Sequence, residues 1–291
     1  MNIFDAIFQG IVQGLTEFLP ISSSGHLSLV QHFSGQSGES GLMFSILLHF
    51  GTLIAVFLAF YKTIFQLIGE FFLMIKDIFT GKFSFKKMNA KRRMIIMLIV
   101  SLVPLCIFIF LSDFYKSVSS DNDIIVEGCG FLVTALLLFL ADRQHPDPGK
   151  NAADMKYADA LAVGIAQGIA PMPGISRSGS TISVGLMMGL SREYAVAFSF
   201  IMGIPAVLGA NLLEIPDALA EQTMASPFVL IVGVVTAAIF GLLAIKMVKW
   251  LVKSNKFKIF AIYTLILGLA TVGIGIYEHI SGNLLANFWL K

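Results

Sequence analysis

Residues 5–25 (DAIFQGIVQGLTEFLPISSSG) return at 159–179 (DALAVGIAQGIAPMPGISRSG) at a constant offset of 154, with no gap. Ten positions match: Asp5/Asp159, Ala6/Ala160, Gly10/Gly164, Ile11/Ile165, Gln13/Gln167, Gly14/Gly168, Ile21/Ile175, Ser22/Ser176, Ser24/Ser178 and Gly25/Gly179. Among the unmatched positions, Glu17 and His26 face Pro171 and Ser180, and Ser23 faces Arg177. A duplicated element in an apolar chain points to a repeat-built membrane protein with its site where the copies meet. The shared residues read as scaffold and the unshared ones as chemistry.

Of the 291 residues, 56% are hydrophobic and 13% charged. Soluble domains carry about 25% charged residues, so the composition calls for a polytopic membrane protein. Six segments are apolar enough to span: roughly 42–61, 94–112, 124–141, 195–213, 228–250 and 257–277. The repeat segments, about 2–30 and 157–190, are interrupted by Pro20 and by Pro171, Pro173 and Gly174, which stop a helix midway. A break at membrane depth is tolerated only where protein or a wet cavity covers the freed backbone. Both segments are therefore expected to be re-entrant hairpins. Residues 64–80 are expected to form a separate amphipathic helix at the interface. Cys106 and Cys129 are expected to be small buried hydrophobes.

Charge assigns the sides. If loops 62–93, 142–157 and 246–258 are cytoplasmic, 17 of the 20 Lys and Arg residues lie inside, Arg192 included. Lys116 and Lys291 fall outside, and Arg177 lies in the second hairpin. Basic residues placed between spans are topology signals and give no nucleic-acid surface. The assignment closes only if neither hairpin crosses. The expected fold is all-α: six transmembrane helices plus two re-entrant helical hairpins, in inverted repeats of about 1–141 and 157–277, with the tips meeting inside the bilayer.

The first tip, QGLTEFLPISSSGH, puts Gln13 and Glu17 on one helix face. An intramembrane carboxylate is costly and marks function with a partner. For Glu17 that partner is a divalent cation such as Mg²⁺ or Ca²⁺, which prefers oxygen ligands, or Arg177, which would pair with Glu17 when the site is empty and with phosphate when it is occupied. Ser22, Ser23, Ser24 and Gly25 open the next helix, either as an anion site or as an N-cap. His26 follows and is suited to acid, base or nucleophilic work. His49 reads as a packed polar residue. The second tip, PGISRSGST, sets Arg177 among Ser176, Ser178 and Thr181. A guanidinium fork matches phosphate oxygens. The set suits a phosphate or diphosphate carried on a lipid.

These two motifs resemble the bacterial undecaprenyl-diphosphate phosphatases of the bacitracin-resistance type, in the same order and over the whole span pattern. The resemblance implies hydrolysis of undecaprenyl diphosphate to undecaprenyl phosphate for cell-wall synthesis. It also implies a divalent-metal requirement and a site opening to the outer face of the cytoplasmic membrane. By motif position, Glu17 serves the metal, Ser23 is the nucleophile activated by His26, and Arg177 grips the diphosphate. Gln13, Ser22, Ser24, Gly25, Ser176, Ser178 and Thr181 surround the substrate. Gln13 sits at a position that is Glu or Gln in the family, so here it brings no second charge. Within this reading the nucleophile stays open between Ser23, His26 and water. A rival from another class is a lipid-phosphate flippase or secondary transporter, since inverted repeats are common to transporters. A second copy of the chain, in a homodimer, is a further candidate partner.

Overall fold

The computed structural model describes residues 2–34, 42–85, 88–111, 114–115, 124–144, 149–220, 226–254 and 256–282. Parts of the loops used for sidedness, including Lys86, Lys87, Lys116 and Lys291, lie outside the described residues. Among the described residues ten α-helices follow in order: α1 Ile3–Phe18, α2 Ser23–Ser34, α3 Leu42–Phe79, α4 Ala90–Phe108, α5 Ile125–Asp142, α6 Tyr157–Ile169, α7 Arg177–Met187, α8 Arg192–Ala220, α9 Pro227–Lys253 and α10 Lys258–Ser281. Among the described residues there is no β-strand, only an isolated bridge between Lys150 and Leu190. Among the described residues five helices, α3, α5, α8, α9 and α10, are long and apolar enough to cross a membrane. The chain is an all-helical, multi-pass membrane protein.

The remaining expected span, 94–112, corresponds to α4, which passes into a short 3₁₀ turn at Ile109–Leu111. Helix α4 opens on Lys91, Arg92 and Arg93, so its apolar part begins only at Met94. The expected interfacial helix 64–80 is not a separate element. It continues α3 beyond a kink at Phe60 (φ −126°, ψ 18°). At about 1.5 Å per residue, α3 is roughly twice as long as the hydrocarbon layer is thick, so the part beyond the kink cannot all be membrane span. The first turn of α4 holds that extension: Arg92 reaches Glu70 at 3.0 Å and Asp77 at 2.7 Å.

Both repeat segments break where their prolines predict. Helix α1 ends at Phe18, and Leu19 is extended before Pro20. Helix α6 ends at Ile169, just ahead of Pro171 and Pro173. The matched residues do matched work. Asp5 and Asp159 each accept the backbone N–H three residues earlier, from Asn2 at 3.0 Å and Lys156 at 2.8 Å, capping their helices. Ser22 accepts from Gly25 N–H at 3.3 Å, and Ser176 from Gly179 N–H at 3.0 Å. The Ser22–Ser24 and Ser176–Ser178 hydroxyl pairs are both 3.3 Å apart.

The glycines at four-residue spacing are helix contacts. A Cβ on Gly10 or Gly14 would collide with α9 at Gly233, Thr236, Ala237 and Phe240. One on Gly164 would meet the Ser101 backbone of α4, and one on Gly168 the Phe108 ring. Small residues at this spacing let membrane helices approach closely, where van der Waals packing and not water exclusion drives association.

Cys106 and Cys129 are free and exposed, contrary to the expectation of burial. Helix faces turned to lipid are as apolar as those turned inward, so an apolar setting in sequence does not assign a side.

Gly164→Leu should lower the thermal stability of the detergent-solubilised protein by about 1–3 kcal/mol, the usual cost of overpacking. Gly273 has nothing within 4 Å of its Cβ position, so Gly273→Leu should melt with the wild type.

Candidate active site

Four side chains converge on one carboxylate. Glu17, on the last turn of α1, is buried (8% exposed). Its Oε1 accepts from Arg177 Nη2 at 2.7 Å. Its Oε2 accepts from Gln13 Nε2 and from Ser23 Oγ, each at 3.0 Å. His49 Nε2, on α3, stands 4.0 Å from the same oxygen. The two tips also touch through backbone, since Ser178 Oγ donates to the Leu19 carbonyl at 3.1 Å. A Cβ on Gly25 would come within 2.8 Å of Gly174 Cα.

Helix starts place the reactive groups. Ser22 adopts φ +70° and caps α2, so Ser23 begins that helix beside Glu17. Ser176 caps α7, so Arg177 begins that one. Arg177 then lies across α8 at Gly203, where a Cβ would overlap the guanidinium. A narrow cleft walled by Phe18, Thr52, Leu53, Val56, Phe200 and Val207 ends on the Glu17–Arg177 pair. Phe18 and Phe200 stack edge to face behind it, with centroids 5.3 Å apart.

The structure brings together Gln13, Glu17, Ser23 and Arg177, and separates them from other expected members. His26 does not pair with Ser23. Its Nδ1 lies 2.7 Å from the Ser22 carbonyl and its Nε2 2.7 Å from Tyr263 Oη. Its ring stacks on Tyr263 at 5.7 Å and meets Phe131 edge-on at 5.3 Å. Ser22, Ser176 and Ser178 are buried and bonded within the tips as described. Thr181 Oγ1 is also buried, held by the Arg177 carbonyl at 2.8 Å and Ser199 Oγ at 2.6 Å. Capping is the role this geometry gives the two cap serines. Gly25 is a close-packing position, and Ser24 is exposed.

His49 is the residue that sequence reading passed over as packing. The available signal was an ionisable side chain in an apolar span with no charge of its own nearby. Among the described residues no group of three or more His, Cys, Asp or Glu side chains gathers to hold a metal. The donors at hand are the Glu17 carboxylate, the Gln13 amide, the Ser23 hydroxyl and one imidazole. That set is too small for a closed metal site, but it fits a cation that shares its coordination with phosphate oxygens.

Comparison with known proteins gives the family. Residues 6–270 match the family model described as bacitracin resistance protein BacA. The chain belongs to the bacitracin resistance protein BacA family. It is 43% identical over 276 residues to an undecaprenyl-diphosphatase of Methanosphaera stadtmanae, covering 94% of this chain and 98% of the relative. It is 41% identical over 273 residues to one of Alkaliphilus metalliredigens, covering 92% and 97%. A third, undecaprenyl-diphosphatase 4 of Bacillus thuringiensis, is 37% identical over 282 residues, covering 96% and 100%. Both tips of this BacA-family chain lie inside the matched region.

The buried pair gives a stability test. Removing one partner leaves an unpaired buried charge, at a cost of about 3–5 kcal/mol. Arg177→Met should therefore destabilise the protein by about that much in thermal unfolding. Glu17→Gln/Arg177→Met, which removes both charges, should recover most of the loss.

Proposed function

We infer that the chain hydrolyses undecaprenyl diphosphate to undecaprenyl phosphate and inorganic phosphate, returning the lipid carrier to cell-wall synthesis and conferring bacitracin resistance. The observation that carries this reading is the hydrogen-bonded Ser23–Glu17–Arg177 cluster: a hydroxyl, its acceptor and a guanidinium, drawn from two hairpins at a buried tip contact. The relatives' shared name, undecaprenyl-diphosphatase, supplies the substrate.

Each group has a role set by where it stands. Arg177 shifts from Glu17 to the terminal phosphate, which it matches as a fork. Ser23 Oγ, oriented by its hydrogen bond to Glu17, attacks the terminal phosphorus in line. Its proton leaves along that hydrogen bond, and undecaprenyl phosphate departs. Water then cleaves the phosphoserine. A divalent cation would be held by Glu17 and Gln13 together with phosphate oxygens, and when bound it supplies charge neutralisation of the diphosphate. His26, pinned to Tyr263 and the Ser22 carbonyl, shapes the start of α2 in this arrangement.

In this reading α1/α2 and α6/α7 are the two re-entrant hairpins. None of the four helices exceeds 16 residues, against about 20 needed to span. The other six helices cross the membrane, α4 included. The halves 1–141 and 157–277 are inverted, and the helix pairings support this. Helix α1 packs on α9 while α6 packs on α4, and the counterpart helices pair as α3 with α8 and α5 with α10. The basic loops lie in the cytoplasm, and the site opens to the outer face of a bacterial cytoplasmic membrane.

Purified protein in detergent should release phosphate from undecaprenyl diphosphate without any vesicle, and chelator should abolish the release. Ser23→Ala should lose roughly a thousandfold or more, as nucleophile deletions do. Arg177→Ala should lose about a hundredfold or more. Near-normal turnover in Ser23→Ala would refute the phosphoserine route. Activity only in sealed vesicles would favour transport.

A further inference from the structure

His49 is better placed than a packing residue requires. Its Nδ1 is 2.9 Å from the Ser45 carbonyl one turn earlier on α3. A carbonyl can only accept, so Nδ1 carries a hydrogen, and the imidazole form that ligates a metal then has its lone pair at Nε2. That lone pair faces Glu17 Oε2 at 4.0 Å, beyond hydrogen-bond range. In that form the partly exposed imidazole and the carboxylate, whose Oε2 also accepts from Gln13 and Ser23, leave a gap that a cation can enter.

Distance and charge identify that charge. Two ligands of one ion, each bonded at about 2.1 Å, stand at most about 4.2 Å apart, so the observed gap fits an ion. A second monovalent cation has little to balance, because Arg177 already neutralises Glu17 at 2.7 Å. A divalent ion arriving with a diphosphate does balance. The anion draws Arg177 to itself, and the carboxylate, no longer neutralised by the guanidinium, then offers the ion a negative ligand. Gln13 brings no charge to the site, and it already spends its amide N–H on Glu17. An imidazole from α3 makes up the missing ligand.

We propose that His49 is a protein ligand of the divalent cation, which it holds with Glu17 against the substrate's diphosphate, and that this mixed nitrogen–oxygen set favours Mn²⁺ over Ca²⁺. The identity of the anion rests on the phosphatase reading. The ligand assignment rests on the geometry of His49 and Glu17. Nitrogen donors favour first-row transition ions, whereas Ca²⁺ takes oxygen.

The test is Mn²⁺ titration of the purified full-length protein, with methylenediphosphonate present, followed by electron paramagnetic resonance. Bound Mn²⁺ should show spin-echo modulation from a directly coordinated ¹⁴N, and Ca²⁺ should compete about tenfold more weakly than Mn²⁺ itself. His49→Gln should abolish the nitrogen modulation and weaken Mn²⁺ binding by about tenfold or more. The wild-type signature decides by itself if the variant fails to fold. Mn²⁺ bound without ¹⁴N coupling, or no Mn²⁺ binding at all, overturns the proposal. Phosphate release measured on the same wild-type sample separates the two readings. Hydrolysis without nitrogen coupling removes His49 as a ligand and leaves the phosphatase. Nitrogen coupling without hydrolysis in any metal keeps the site and removes the phosphatase.

Discussion

The Glu17–Arg177 ion pair is the contact on which the rest of the site depends. Each charge is buried inside a bundle that faces lipid, where an isolated ion is costly. Neither can stay there without the other, so the first tip is tied to the second across 160 residues of chain. The pair also spends Arg177 Nη2 and one carboxylate oxygen on each other. That leaves Oε2 to gather Gln13 and Ser23. Much of the surrounding fold serves this meeting: prolines end α1 and α6 at the right depth, caps start α2 and α7 beside them, and glycines let backbones close around the junction.

The repeat explains why there is one such pair and not two. At the repeat offset the Glu17–Arg177 contact maps onto Pro171 and Ser23, neither of which carries a charge. Each copy thus contributes one charge of opposite sign. The residues that did not diverge are those that build helices: the capping Asp5 and Asp159, the contact glycines, and Ser22 and Ser176. Gln167 marks the cost of symmetry. It matches Gln13 but faces no carboxylate, and its buried amide finds no hydrogen-bond partner among the described residues.

Local features were legible in the sequence and distant packing was not. Proline stops, serine caps and the glycine spacing act within a few residues, so the string carries them. Glu17 and Arg177 could be paired at a distance only because burial makes an unpaired charge untenable. His26 lay three residues from Ser23 and looked like its base, yet its ring nitrogens went to the Ser22 carbonyl and to Tyr263, 237 residues away. The value of His49 depends on where α3 passes α1, which no local pattern encodes. The Phe60 kink is similar: it sits where Lys249 of α9 lies over the Phe60 ring at 3.7 Å, a contact between elements far apart in the chain.

Gly203 shows how tightly the geometry is drawn. Arg177 reaches Glu17 by crossing α8 at Gly203, where the helix has no side chain, and a methyl group there would occupy the guanidinium's space. The arginine is thus confined between α8 and the carboxylate, and with Glu17 it lines the cleft shared with Leu53, Val56 and Val207. Guanidinium, carboxylate and the bare backbone of Gly203 thus fit together at one helix crossing, so the two charges compensate each other only because α8 leaves that space open.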